Sequence, residues 1–142
     1  MLDTAIAFAV ESGFEVELYG EILFEKTAGT IDYDSRSIII NRKLCCSGCW
    51  LMTLLHELGH MRHFFDSGVK SECEFLKLFP EKTQREKAAD DLGRRISNQL
   101  GFKLDNEWEH EIKNWDYVKQ SYAPKRKVSG RNQSKQYNRR VK

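Results

Sequence analysis

The sequence predicts an α+β fold in which a pair of helices packs against a small antiparallel sheet of three or four strands, followed by a basic C-terminal tail. Three observations carry that expectation. Residues 14–41 alternate apolar and polar side chains between turn-forming residues, the period of half-buried strands. Residues 47–68 and 82–100 place apolar or small residues at helical spacing and stop at Gly68 and Gly101. From Tyr117 onward there are nine Lys and Arg and no acid, so a formal net charge of +2 divides into an acidic body of net −7 and a cationic end. A chain of 142 residues suits one core of ordinary size, and 40% hydrophobic with 31% charged residues suits a soluble globular protein. The expected organisation is a folded domain over residues 1–121 and a tail over residues 122–142.

Taken in order, Ala5-Ile6-Ala7-Phe8-Ala9-Val10 reads as a first helix, with Asp3 near its start and Gly13 as its stop. It is too short to span a bilayer and no basic segment precedes it, so neither a membrane span nor a signal peptide is expected. No other run approaches membrane length, which points to a cytoplasmic protein without a membrane partner. Glu15–Tyr19, Glu21–Glu25, Gly29–Tyr33 and Arg36–Asn41 read as strands, with turns at Gly20, Ala28-Gly29 and Asp34-Ser35. Cys46-x-x-Cys49 has metal-ligand or redox spacing, but Cys45 and Cys73 do not make the second pair that a structural zinc site uses. Free, partly buried thiols in a reducing compartment are the expectation.

Ser47 is positioned to cap the next helix, whose apolar stripe runs through Trp50, Leu51, Leu54, Leu55, Leu58, Met61, Phe64 and Phe65. Inside it stands His56-Glu57-Leu58-Gly59-His60. Positions i and i+4 share a helix face, so both imidazoles can reach one ion, and Glu57 sits beside that ion without binding it. Gly59 costs about 1 kcal/mol relative to Ala in a helix interior, which points to close approach of another element. The plainer reading is an ordinary amphipathic helix with two incidental histidines. The downstream segment weighs against it. A catalytic zinc uses three protein ligands and an open position. On the helix after Pro80, Glu86, Ala89, Asp90 and Gly93 share one face. Glu86 supplies a third ligand, Ala89 and Gly93 allow tight packing, and Asp90 is placed to accept the free ring N–H of a ligand histidine. A solvated helix bearing Lys82, Arg85, Lys87, Arg94 and Arg95 is the alternative.

The combination His56-Glu57-Leu58-Gly59-His60 with Glu86-x-x-Ala89-Asp90 resembles the gluzincin arrangement. More narrowly, it is similar to the ImmA/IrrE family of small metallopeptidases over about residues 30–100, where the strand-like Ile38-Ile39-Ile40-Asn41 corresponds to the strand that borders the cleft. The resemblance implies a zincin-like fold and zinc-dependent hydrolysis of a protein or peptide substrate. One Zn²⁺ would be held by His56, His60 and Glu86, with Glu57 as the base for a metal-activated water. His63, His110 and Tyr117 are candidates to contact substrate or the transition state, Tyr122 is an equal alternative, and His110 is the reserve third ligand. The tail beyond Pro124 is too poor in apolar residues to repay ordering and could hold phosphate backbones through counterion release, or lie on the acidic body. Three rival functions follow: a SprT-like protease acting on DNA-bound proteins, a zinc-binding sensor or protein-binding module without catalysis, and a nucleic-acid-binding protein whose zinc is structural.

Overall fold

A computed structural model describes residues 1–19, 28–41 and 50–110. Among them the order is α1 (Leu2–Glu11), β1 (Glu15–Tyr19), β2 (Gly29–Asp32), β3 (Ser37–Asn41), α2 (Trp50–Ser67), α3 (Glu72–Leu78) and α4 (Lys82–Gln99), with a further helix, α5, over residues 105–110. The α+β expectation is met. The expected strand at Glu21–Glu25, the turn at Gly20, the cap at Ser47, Cys45, Cys46 and Cys49, the domain boundary and the tail lie outside the described residues.

α1 buries Ala5 and Ala9, one turn apart, on the core. The Ser12 hydroxyl donates to the Phe8 carbonyl at 2.8 Å, and Gly13 turns the chain at φ +96°. The sheet has the order β1-β3-β2. It is mixed rather than antiparallel, which corrects the expectation. β2 and β3 form an antiparallel hairpin that sets Gly29 opposite Ile40, but β1 runs parallel to β3 with Glu15 opposite Ser37. The physical reason is the path of the chain. A short turn can only reverse direction, whereas β1 reaches the far side of β3 through β2 and its flanking segment. β3, the central strand, buries Ile38 and Ile40 completely.

The β2–β3 turn is tied down at several points. Asp32 Oδ1 accepts from the Asp34 and Ser35 amides at 3.0 and 3.1 Å. Arg36 takes a left-handed φ of +58°, and its guanidinium lies 5.2–5.7 Å from the ring centroids of Phe65, Phe64 and Phe14.

α2 is the central element of the described residues. It packs against β2, β3 and α1, and its largest interface is with α4. Leu51, Leu54, Leu55, Leu58, Met61 and Phe64 are buried as the stripe predicts, while Phe65 is 37% exposed. Gly68 ends the helix at φ +76°. α3 is an element that the sequence reading omits. Its signal is Ser71-Glu72-Cys73-Glu74: the Ser71 hydroxyl accepts from the Glu74 amide at 3.2 Å, as an N-cap does. Asp34 Oδ1 accepts from the Glu72 amide at 2.9 Å and joins α3 to the β2–β3 turn. Phe75 points inward and is fully buried, whereas Cys73 is a free, exposed thiol and not a partly buried one. The helix turns its apolar side to the core and leaves Cys73 on the other.

α4 approaches α2 so closely that glycine is required. A Cβ on Gly59 would stand 1.9 Å from the Ala89 carbonyl oxygen, and one on Gly93 would stand 2.6 Å from that of Leu55. α5 folds Trp108 under this pair, where it is 1% exposed, and Arg94 bridges to Asp105 and Glu109 at 3.3 and 3.2 Å on the surface. Among the described residues no helix is long and apolar enough to cross a membrane.

Candidate metal centre

The glycine-mediated contact decides where the chemistry sits. With α2 and α4 nearly touching backbone to backbone, the face of α2 that carries His56 and His60 meets the face of α4 that carries Glu86 and Asp90. Glu86 Oε1 lies 3.1 Å from His56 Nε2, and its Oε2 lies 2.8 Å from His60 Nε2. One donor atom from each of His56, His60 and Glu86 falls within 4.8 Å of the others, close enough to hold one metal ion. Both Nε2 atoms thus face the Glu86 carboxylate, and the two rings stand nearly perpendicular, at 88° with centroids 4.8 Å apart.

Asp90 completes the arrangement. Its Oδ1 lies 2.6 Å from His56 Nδ1 and is itself 5% exposed. An ionised carboxylate can only accept, so Nδ1 carries the proton and Nε2 is the nitrogen whose lone pair can bind a metal. The donor set of two imidazoles and one carboxylate is one that zinc takes in sites with three protein ligands. With neutral imidazoles, Glu57, Glu86 and Asp90 would give the cluster three negative charges, which a divalent cation offsets. His56 and Glu86 keep 18% and 19% of their side chains exposed, so the centre is open on their side.

Glu57 points elsewhere. It is 6% exposed and lies under β2, where a Cβ on Gly29 would stand 3.0 Å from its Oε2 and 2.8 Å from Thr53 Cγ2. Strand β2 therefore passes directly over the carboxylate, and Gly29 is the residue that permits it. Burial pushes the Glu57 carboxyl above its ordinary value; His60 and His56 oppose that shift, and Glu86 and Asp90 add to it. For Glu86 burial acts upward too, but the two imidazoles outweigh it and hold the carboxyl far below the usual range. Burial alone would lower the His56 imidazole, yet hydrogen bonds to Asp90 and Glu86 carry it well above its ordinary value.

No family model, curated protein or solved structure matches the chain. The chemistry of the site is therefore argued from its own residues. His63 is half-buried, its ring 4.3 Å from that of Phe79 and 5.0 Å from that of Phe75. α3 and the residue that follows it cover His63, and burial pushes its pKa down. His110 is exposed on α5 and takes no part in the cluster, so it is not needed as a third ligand. Tyr117 and Tyr122 lie outside the described residues. Tyr33, expected at the end of a strand, lies in the β2–β3 turn and stacks on Phe64 with ring centroids 4.7 Å apart.

A pH dependence follows from the His56 geometry. A metal must displace the Nε2 proton of the charged ring, which Glu86 faces at 3.1 Å while Asp90 holds the Nδ1 proton, so affinity is lost as pH falls below the pKa of that ring. Competition titrations against a chromophoric chelator at pH 6, 7 and 8 should show zinc affinity falling on acidification, by about tenfold per pH unit for each proton displaced. An affinity flat over that range would remove the imidazoles from the ligand set.

Proposed function

We propose that this chain is a zinc-dependent endopeptidase of the gluzincin type, similar to the ImmA/IrrE metallopeptidases, that hydrolyses peptide bonds of a protein substrate. One observation carries the reading: His56, His60 and Glu86 converge on a single point while Glu57, next to His56 in sequence, stays out of the ligand set. That is the division of labour metal-assisted hydrolysis requires, with three residues to bind and a fourth carboxylate to move protons.

Bound zinc supplies Lewis-acid polarisation of a carbonyl and brings the ionisation of water down to about pH 7. The chain's own residues do the rest. Glu57 accepts the proton of the attacking water and returns it to the departing amine. Asp90 fixes the orientation and tautomer of His56. β2, at the edge of the described sheet and directly above Glu57, is placed to hold an extended substrate by backbone hydrogen bonds. The nine cations from Tyr117 onward support nucleic-acid contact as an addition to this reading, on charge alone.

The test is hydrolysis of a fluorescently labelled unfolded protein by the zinc-loaded full chain. The expected result is cleavage that stops with a chelator and returns with added zinc. Tight zinc binding without cleavage would sink the peptidase reading and favour a non-catalytic sensor.

A further inference from the structure

The half-buried arginines among the described residues differ in what holds them. Arg94 meets the carboxylates of Asp105 and Glu109, Arg62 lies over the Phe8 ring, and Arg36 over three phenylalanine rings. Arg85 has neither an acid nor a ring. Its Nη1 donates to the Phe79 carbonyl at 2.7 Å, and among the described residues its guanidinium has no other hydrogen bond and no ion pair. A neutral carbonyl fixes the group in place without cancelling its charge, and most of the N–H donors of the fork are left to use.

The helix seam shows where that charge lies. α2 and α4 run antiparallel and touch at intervals of four residues: Gly93 meets Leu55, and Ala89 meets Gly59. Asp90 and Glu86 repeat the step one row over, against His56 and His60. Arg85 follows Gly93 and Ala89 in this series, and His63 follows Leu55 and Gly59, so the two stand across from each other one turn beyond the Gly59–Ala89 contact. Printed contacts close the same loop, since the His63 ring lies 4.3 Å from that of Phe79, whose carbonyl holds Arg85. Phe79 is itself pinned, its N–H donating to the Phe75 carbonyl at 2.9 Å. β2 runs the same way along α2, from Gly29 above Glu57 to the turn where Tyr33 stacks on Phe64. A peptide extended beside β2 therefore passes the His56–His60–Glu86 cluster and then Arg85. One helical turn is about 5.4 Å and one extended residue about 3.4 Å, so Arg85 is met about two residues from the bond that is cut.

We propose that Arg85 binds a carboxylate of the substrate and so directs cleavage to within about two residues of an acidic side chain or of the C-terminus. The assignment rests on the peptidase reading above. A cation is needed at this place, because Glu57, Glu86 and Asp90 together outweigh the charge of a divalent ion and repel a carboxylate that arrives unmet.

The zinc-loaded full chain is tested on capped peptides that carry Glu or Gln beside the cleaved bond. Gln peptides with a free or an amidated C-terminus tell a terminal carboxylate from a side-chain one. Arg85→Gln should lower the preference in kcat/KM for carboxylate over amide by about 10–100-fold, the range of a hydrogen bond to a charged group. Arg85→Lys, which keeps the charge but not the fork, should fall between the two. If Arg85 only braces the α3–α4 connection, Arg85→Gln lowers both rates together and leaves their ratio unchanged. That result overturns the assignment, and so does a wild type that cuts peptides without preferring a carboxylate. Calorimetry with glutamyl and glutaminyl hydroxamates, which chelate zinc, gives a readout that needs no turnover. A wild type that cuts nothing but prefers the glutamyl hydroxamate, with the preference lost in Arg85→Gln, sinks the peptidase reading and leaves the carboxylate site standing. Equal affinity for the two hydroxamates sinks the site whether or not peptides are cut.

Discussion

Gly59→Ala is expected to cost about 3 kcal/mol or more of folding stability and, with it, most of the affinity for zinc. Alanine is the better helix former by about 1 kcal/mol, so propensity alone predicts the opposite sign. Sterics decide. The new methyl would stand 1.9 Å from the carbonyl oxygen of Ala89, 2.7 Å from its carbonyl carbon and 2.9 Å from its Cα. These are backbone atoms of a helix and cannot rotate aside as a flexible side-chain end can, so α4 must move away from α2. Glu86 and Asp90 ride on α4, and both would retreat from His56 and His60. Urea unfolding with and without zinc reads both consequences. The variant should unfold at lower denaturant, and the stabilisation that zinc gives the wild type should shrink. An unchanged midpoint, or a wild-type response to zinc, would show that the helices are not pressed together at this point.

That contact also shows which parts of the molecule were legible in the sequence. Gly59, Ala89 and Gly93 could be read as a packing seam because helix periodicity alone places small residues on a face, and Glu86 and Asp90 share the face with them. The metal cluster inherits that legibility, since its three members and Asp90 beside them lie on two regular helices. Strand positions were readable from alternation, but strand direction was not, because parallel pairing of β1 with β3 depends on the route taken between them. α3 has only seven residues, too few for a periodicity to register, although Ser71 and Glu74 mark its start. With α3 went the rings of Phe75 and Phe79 that cover His63. The packing of Tyr33 was not readable for a related reason: its neighbours Phe64 and Phe75 come from α2 and α3, and only the hairpin turn brings it to them.

Glu57→Gln should leave the metal in place and remove about 10²–10⁴-fold or more of the turnover, the range that general acid–base catalysis contributes. The argument turns on what the substitution keeps. Glutamine has the shape of glutamate, so it still fits beneath Gly29 and beside Thr53. It can offer an oxygen to water but cannot take up a proton. Stability should not suffer. A carboxyl whose pKa is raised by burial costs stability as pH rises above its ordinary, unfolded-state pKa, so at neutral pH the neutral amide relieves a penalty. Zinc content should match the wild type, because Glu57 is outside the His56–His60–Glu86 set. Lost turnover with retained zinc and retained fold separates a proton carrier from a ligand, since removing a ligand would lower metal content first. Hydrolysis at the wild-type rate by zinc-loaded Glu57→Gln would mean that the proton is carried by another group.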